Sequence, residues 1–147
     1  MMLTTSAVWF ETSLAATRAA ANVRDYLQAL HAADSALTSC ARSVVSAAAD
    51  ASAPPQAGSG EPVQWKVQSA FEAGAITPFA QWPGSVRAPQ CLTEAWRLSN
   101  RADAQAYLLT ARGFGRTSDS QVWLQLELVI NGETVERHWR RVVARPF

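Results

Sequence analysis

The first third of the chain places apolar side chains at the spacing of an amphipathic helix. Between Leu3 and Ala49 there is no proline and no glycine, and alanine is the commonest residue, which favours helix. Apolar residues recur at steps of three and four and form one stripe: Val23, Tyr26, Leu27, Leu30, Ala33, Leu37, Cys40, Ala41 and Val44. The pattern predicts one long helix over residues 1–50 with a single buried face.

The predicted helix is too long for the domain that follows it. At the rise of an α-helix, more than about 40 residues span more than about 60 Å. A chain of 147 residues folds into one domain that is only about 30–40 Å across. One end of the helix is therefore expected to project from the domain or to pack on another molecule.

The composition changes after the helix. "ADASAPPQAGSGEP", Ala49 to Pro62, combines adjacent prolines, glycines and small residues, so residues 51–62 are predicted to be a linker. Residues 63–147 then form a head, in which "VQWKVQ" (Val63–Gln68) and "CLTEAW" (Cys91–Trp96) are predicted to be strands. Residues 69–90, rich in proline and glycine, are predicted to be mostly loop.

Two more strands are predicted near the end of the chain. "AYLLTAR" (106–112) is one, and "GFGRTSDS" is the turn after it. In "QVWLQLELVI" (121–130) every second residue is apolar, which is the clearest strand signal in the chain. "NG" at Asn131–Gly132 predicts a tight hairpin, and pairing outward from it places Leu128 opposite Val135 and Trp123 against Arg140.

Together these elements predict an α+β fold, with one long N-terminal helix packed on an antiparallel sheet of about four strands. Such a sheet has one apolar face that needs a cover. The stripe on the helix is the only long apolar surface that can supply it.

The charge and the cysteines narrow the possible functions. The formal net charge of +1 gives no whole-molecule attraction to nucleic acid or anionic lipid. Cys40 and Cys91 could form a disulfide, remain buried thiols or contribute to a partial metal site, and a single pair favours the disulfide. A bridge between them would join the helix to the sheet. No metal site and no cofactor are predicted, because only His31 and His138 could complete a set of ligands, at spacings unlike those of zinc fingers.

No catalytic constellation is found. Neither histidine lies near a nucleophile motif, and "GFGR" lacks the third glycine of a phosphate-binding loop. The one basic and aromatic cluster could bind single-stranded nucleic acid, or could be the charged edge of a sheet, which we favour: Trp123, Arg137, Arg140 and Arg141. The protein is therefore not expected to be an enzyme, and no nucleic-acid partner is expected.

Three stretches resemble the type IV pilus minor pilins of the PilX kind. In that family an asparagine–arginine–aspartate segment precedes an alanine-rich stretch, matched by Asn22, Arg24, Asp25, Ala29, Ala32, Ala33, Asp34, Ala36 and Leu37. "PQCLTEAW" resembles a proline-led strand with a central glutamate, Glu94. "AYLLTARGFGRTSDSQVWLQ" is the closest match, through Tyr107, Thr110, Ala111, Arg112, Gly113, Gln121, Val122, Leu124 and Gln125. The resemblance covers about three fifths of the chain.

The resemblance implies a pilin-like fold and a role in assembly. Members of the family sit in the Gram-negative inner membrane facing the periplasm, join other minor pilins to prime assembly of the pilus from major pilin, and end near its tip, often beneath an adhesin. The family's basic leader and membrane-spanning start of the helix are not matched. The chain is expected to begin near the membrane-exit end of that helix and to be soluble as it stands. The helix surface expected to bind other pilins is Val8, Leu14, Ala15, Ala16, Ala19 and Ala20.

Three alternatives remain open from the sequence. A pseudopilin of a type II secretion system has the same plan of helix and sheet. A DNA-uptake module would use the C-terminal arginines and tryptophans. A periplasmic ligand-binding domain would carry a cleavable signal peptide in place of a retained apolar helix.

Overall fold

The predicted long helix is confirmed. The computed structural model describes residues 2–51 and 57–147, with side chains described from Thr5 onward. Helix α1 spans Met2–Asp50 without interruption. Its 49 residues make it about 70 Å long. The predicted linker cannot be assessed in full, because its residues 52–56 lie outside the described residues.

Only the second half of α1 packs on the rest of the molecule. Each residue from Thr5 to Arg24 is exposed, so about 30 Å of helix projects from the head. The buried residues of α1 begin one turn after Asp25 and share one face: Ala29, Ala32, Ala33, Ala36, Leu37, Cys40 and Ala41. The expectation that one end of the helix projects is thus confirmed. The start of the predicted buried stripe is wrong, because Val23, Tyr26 and Leu27 are exposed, at 58%, 55% and 44%.

The head is an antiparallel meander of four strands. They are β1 (Gln90–Trp96), β2 (Gln105–Phe114), β3 (Gln121–Asn131) and β4 (Thr134–Arg140). Their order in the sheet is their order in the chain, so β1 and β4 form the two edges. Helix α1 packs on β2 and β3, where alternating residues of β3 meet the helix as predicted. The α+β architecture, with a helix on a four-stranded sheet, is the predicted one.

The strand predicted over Val63–Gln68 is wrong. The segment forms a 3₁₀ helix, Gln64–Lys66, followed by helix α2, Gln68–Gly74. The carboxylate of Glu94, in β1, accepts hydrogen bonds from the main-chain nitrogens of Gln64 at 2.9 Å and Trp65 at 3.3 Å. These bonds hold the start of the 3₁₀ helix against the sheet, and their partner lies too far along the chain to be visible in the local pattern.

The β3–β4 hairpin exists, but its register differs from the prediction by two residues. Asn131 pairs with Thr134, so Gly132 and Glu133 form the turn and Leu128 lies opposite Arg137. Gly132 has a φ of +58°, whereas Glu133 has a negative φ. A glycine with positive φ at the first central position is the requirement of a type II′ turn, whereas type I′ would need positive φ at both.

The shifted register also changes the neighbours of Trp123. This residue lies opposite Arg112 of β2, whereas Arg140 lies opposite Gln125. The face of the sheet away from α1 is covered by α2 and by the C-terminal residues, with Phe71, Trp123 and Phe147 in one cluster. Strand β3 is therefore buried on both faces, and the head has three layers.

Candidate assembly surface

The predicted interface lies on the projecting part of α1. All six of its residues, Val8, Leu14, Ala15, Ala16, Ala19 and Ala20, fall in the exposed stretch from Thr5 to Arg24. At 100° per residue, five of them share one side of the helix, whereas Leu14 lies on the other side beside Phe10. The structure therefore presents two strips on this helix. The alanine strip consists of Val8, Ala15, Ala16, Ala19 and Ala20, and the Phe10 strip consists of Phe10 and Leu14.

Sequence reasoning missed the most exposed apolar residues of this helix. Trp9 is 76% exposed and Phe10 is 67% exposed, compared with 61% for Val8. Large apolar side chains this open on neighbouring residues are typical of surfaces that bind a partner. The local signal for them is the apolar run "AVWF", Ala7 to Phe10.

A polar contact marks the point where the helix leaves the head. The carboxylate of Asp25 accepts a hydrogen bond from the main-chain nitrogen of Arg116 at 2.6 Å, across 91 residues of sequence. Hydrogen bonds from the Ser120 hydroxyl and from the Arg116 main chain lower the pKa of Asp25 below its usual value of 3.8. Asp25 thus ties α1 to the β2–β3 turn at the base of the projecting helix.

Small residues let α1 approach the sheet closely in the two turns of helix that follow Asp25. A β-carbon added at Gly113 would lie 2.5 Å from the main-chain nitrogen of Ala33, and closer still to the carbonyl oxygen of Ala29. A β-carbon at Gly115 would lie 2.6 Å from the Ser120 hydroxyl. Both glycines were predicted to serve a turn, but Gly113 lies within β2 and serves the contact between helix and strand.

A disulfide joins the same two layers further along. Cys40 of α1 is bonded to Cys91 of β1, at a sequence separation of 51. Both residues are fully buried among the side chains that α1 and the sheet share. The predicted bridge is confirmed, and it fixes the helix to the edge strand β1.

A buried arginine organises the other face of the sheet. The guanidinium of Arg112 lies 5.0 Å from the ring centre of Phe71 and 5.3 Å from those of Trp123 and Phe147. Its Nε and one terminal nitrogen donate to Gln90 Oε1 at 3.1 and 2.5 Å. Burial lowers the pKa of Arg112, but the cation–π contacts offset part of the cost of burying the charge. This cluster holds the C-terminus on the sheet.

The predicted basic and aromatic surface is not brought together. Trp123 is only 8% exposed, at the Arg112 cluster. Arg137 and Arg140 are three residues apart on β4 and so point to opposite faces. Arg140 pairs with Glu61, and Arg141 follows the end of the strand. β4 is an edge strand, which agrees with the interpretation of these arginines as the charged edge of a sheet.

The two histidines of the chain lie on different elements of the fold. His31 is exposed on α1, and His138 lies on β4 with its ring 3.4 Å from a carboxylate oxygen of Glu136. Within residues 2–51 and 57–147, no group of histidine, cysteine and acidic side chains is placed to hold a metal ion. In the same ranges no helix has both the length and the apolar character needed to cross a membrane.

The main structural features of the molecule are a projecting helix, a close contact of small residues, and a disulfide that fixes helix to sheet. The chain matches no family model, no curated protein and no solved structure.

Proposed function

We propose that the protein is a minor pilin, an assembly subunit that joins other pilins through its helix and takes a place near the tip of a type IV pilus. The observation that carries the proposal is the projecting half of α1, exposed along its whole described length and bearing apolar side chains such as Trp9 and Phe10. A helix with so much open apolar surface is stabilised by packing against other chains.

The residues on which the family resemblance rests support the same proposal. Asp25 holds the β2–β3 turn, Ala29 and Ala33 meet Gly113, and Glu94 holds the 3₁₀ helix. Each therefore has a structural task in fixing a helix on a sheet. A rigid connection between the two lets a force on the head be transmitted to the helix.

The disulfide supports a location outside the cytoplasm. Bridges such as Cys40–Cys91 form and persist in oxidising compartments, of which the periplasm is one. We place the protein in the inner membrane facing the periplasm before assembly, and in the pilus afterwards, where it contacts other minor pilins, the major pilin and an adhesin at the tip.

The test is a charged substitution on the alanine strip. Ala16→Arg in the protein, expressed in its host, is expected to reduce co-purification of pilins by about tenfold or more. The reason is that a long charged side chain prevents the close approach that small residues allow. The matched control is Ala47→Arg, because Ala47 is an exposed alanine at the opposite end of α1.

Both variants should retain the disulfide and an unfolding free energy within about 0.5 kcal/mol of the wild type, as surface substitutions do. Pilins recovered with Ala16→Arg at the wild-type level would overturn the proposed function. Equal losses with Ala16→Arg and Ala47→Arg would also contradict it, since the interface would then not lie on the projecting half.

A further inference from the structure

A groove runs between α1 and the edge strand β4. Helix α1 packs chiefly on β2 and β3, which leaves the helix-side face of β4 open. The groove has a volume of about 480 Å³ and has Leu37, Ala41 and Val45 on one wall and Leu126 and Trp139 on the other. Trp139 is 64% exposed there, so a large apolar surface remains uncovered beside the core.

The rim of the groove is positively charged. Arg42 stands on the helix wall and Arg137 on the strand wall, and no acidic residue lines the groove. Among the described residues, neither arginine takes part in a salt bridge or a side-chain hydrogen bond, whereas Arg101, Arg112 and Arg140 are all paired with glutamates. An occupant that is apolar and carries a carboxylate would match both properties.

The chain itself contains a surface of this chemistry. Phe10 and Leu14 are separated by one turn of α1 and are 67% and 40% exposed. Glu11 lies beside them and is the only acidic residue between Thr5 and Arg24. We propose that the groove between α1 and β4 receives the projecting helix of a second copy of this chain, with Phe10 and Leu14 against Trp139 and with Glu11 paired to Arg42.

The occupant must come from another molecule. The projecting residues and the groove belong to the same uninterrupted helix, so the Phe10 strip of one chain cannot fold back onto its own groove. The contact joins two different surfaces, which makes it heterologous, and repetition of such a contact extends a row of subunits instead of closing a dimer. The inference rests on the proposed assembly function, since it assigns a partner to the projecting helix.

Sedimentation velocity on the purified 147-residue protein over a wide concentration range tests the proposal. The wild type is expected to self-associate, and both Arg42→Glu and Glu11→Arg are expected to weaken association by about tenfold through like-charge repulsion. The double variant Glu11→Arg/Arg42→Glu should recover most of the loss. Arg97→Glu is the matched control, because Arg97 is an exposed arginine that follows β1 at the opposite edge of the sheet.

A wild type that stays monomeric at every concentration overturns the inference. So does a double variant that associates no better than Arg42→Glu, because the charge pair would then not exist. A loss of the same size with Arg97→Glu would show that association follows net charge and not this groove.

Cross-linking locates the contact. The two native cysteines are bonded to each other, so an introduced cysteine is the only free thiol. A mixture of Leu14→Cys and Thr38→Cys proteins should form a mixed disulfide dimer under mild oxidation, and neither alone should do so efficiently. Strong cross-linking of Leu14→Cys alone would show helix-to-helix pairing and overturn the groove contact. If the groove contact fails while Ala16→Arg still impairs co-purification of pilins, the proposed function survives without this partner.

Discussion

At the scale of single residues, Gly113 shows how the packing of a neighbouring helix limits the residue type that a strand position can hold. The two main-chain atoms of α1 closest to this glycine belong to Ala29 and Ala33 and cannot move without moving the helix. Gly113→Ala is therefore expected to lower the unfolding free energy by about 1–3 kcal/mol, as overpacking does, in urea denaturation followed by circular dichroism.

Gly60→Ala is the control for Gly113→Ala. A β-carbon at Gly60 would meet nothing within 4 Å, and its backbone does not have a positive φ. The control should stay within about 0.5 kcal/mol of the wild type. If the two variants had equal stability, the close approach of helix and strand would be contradicted.

Asp25 is expected to make the free energy of unfolding depend on pH. Because its pKa is lowered in the folded protein, its contribution is complete above the ordinary value of 3.8 and is lost as the pH falls through the lower folded value. Asp25→Ala should cost about 1 kcal/mol at pH 6, a modest value for a partly exposed hydrogen-bonded carboxylate. The difference from wild type should shrink as the pH is lowered below 3.8.

Unfolding free energies measured at a series of pH values check this expectation. Asp25→Asn is the control, because it keeps an acceptor oxygen and cannot ionise, so its difference from Asp25→Ala should not vary with pH. A difference between wild type and Asp25→Ala that is the same at every pH would show that the ionised carboxylate does not hold the turn.

These residues also show what a single sequence can and cannot predict. The sequence shows glycines at positions 113 and 115. It does not show locally whether a glycine is needed for a turn or for close contact with a helix. The tie between Asp25 and Arg116 spans 91 residues, so it too follows only from the packed fold.

At the scale of elements, the disulfide stabilises the docking of α1 on the sheet. In the chain-entropy view, a bridge that closes a loop of about 50 residues contributes about 4 kcal/mol. The double variant Cys40→Ala/Cys91→Ala is expected to lose about that much in urea denaturation. Wild-type protein unfolded in the presence of a reducing agent should lose a similar amount, and an undiminished stability in both would contradict the role of the bridge.

The elements predicted correctly are those whose signal is local and strong. The α1 pattern has no proline or glycine for over 40 residues, and β3 alternates along its whole length. The wrong strand at Val63–Gln68 also alternates, but the segment lies over the outer face of the sheet, held by Glu94 and Phe71. Alternation shows two chemically different sides, and it does not show that the backbone is extended.

At the scale of the whole molecule, the two halves of α1 should differ in stability. Residues 5–24 have no cover from the head, and an isolated helix is marginal in water. At low protein concentration, their amide hydrogens should exchange much faster than those of residues 29–44. Hydrogen exchange resolved by mass spectrometry would measure this, and equal protection in both halves of dilute protein would contradict the projecting helix.

The sequential order of the strands has a consequence for the timing of folding. Each strand pairs with its neighbour in the chain, and such local contacts form early. Helix α1, by contrast, packs on β2 and β3 and contacts the turn between them, where Asp25 and Arg116 are 91 residues apart in the sequence. We therefore expect the sheet to assemble before the helix docks, so that Cys91 meets Cys40 late and oxidation seals a structure that has already formed.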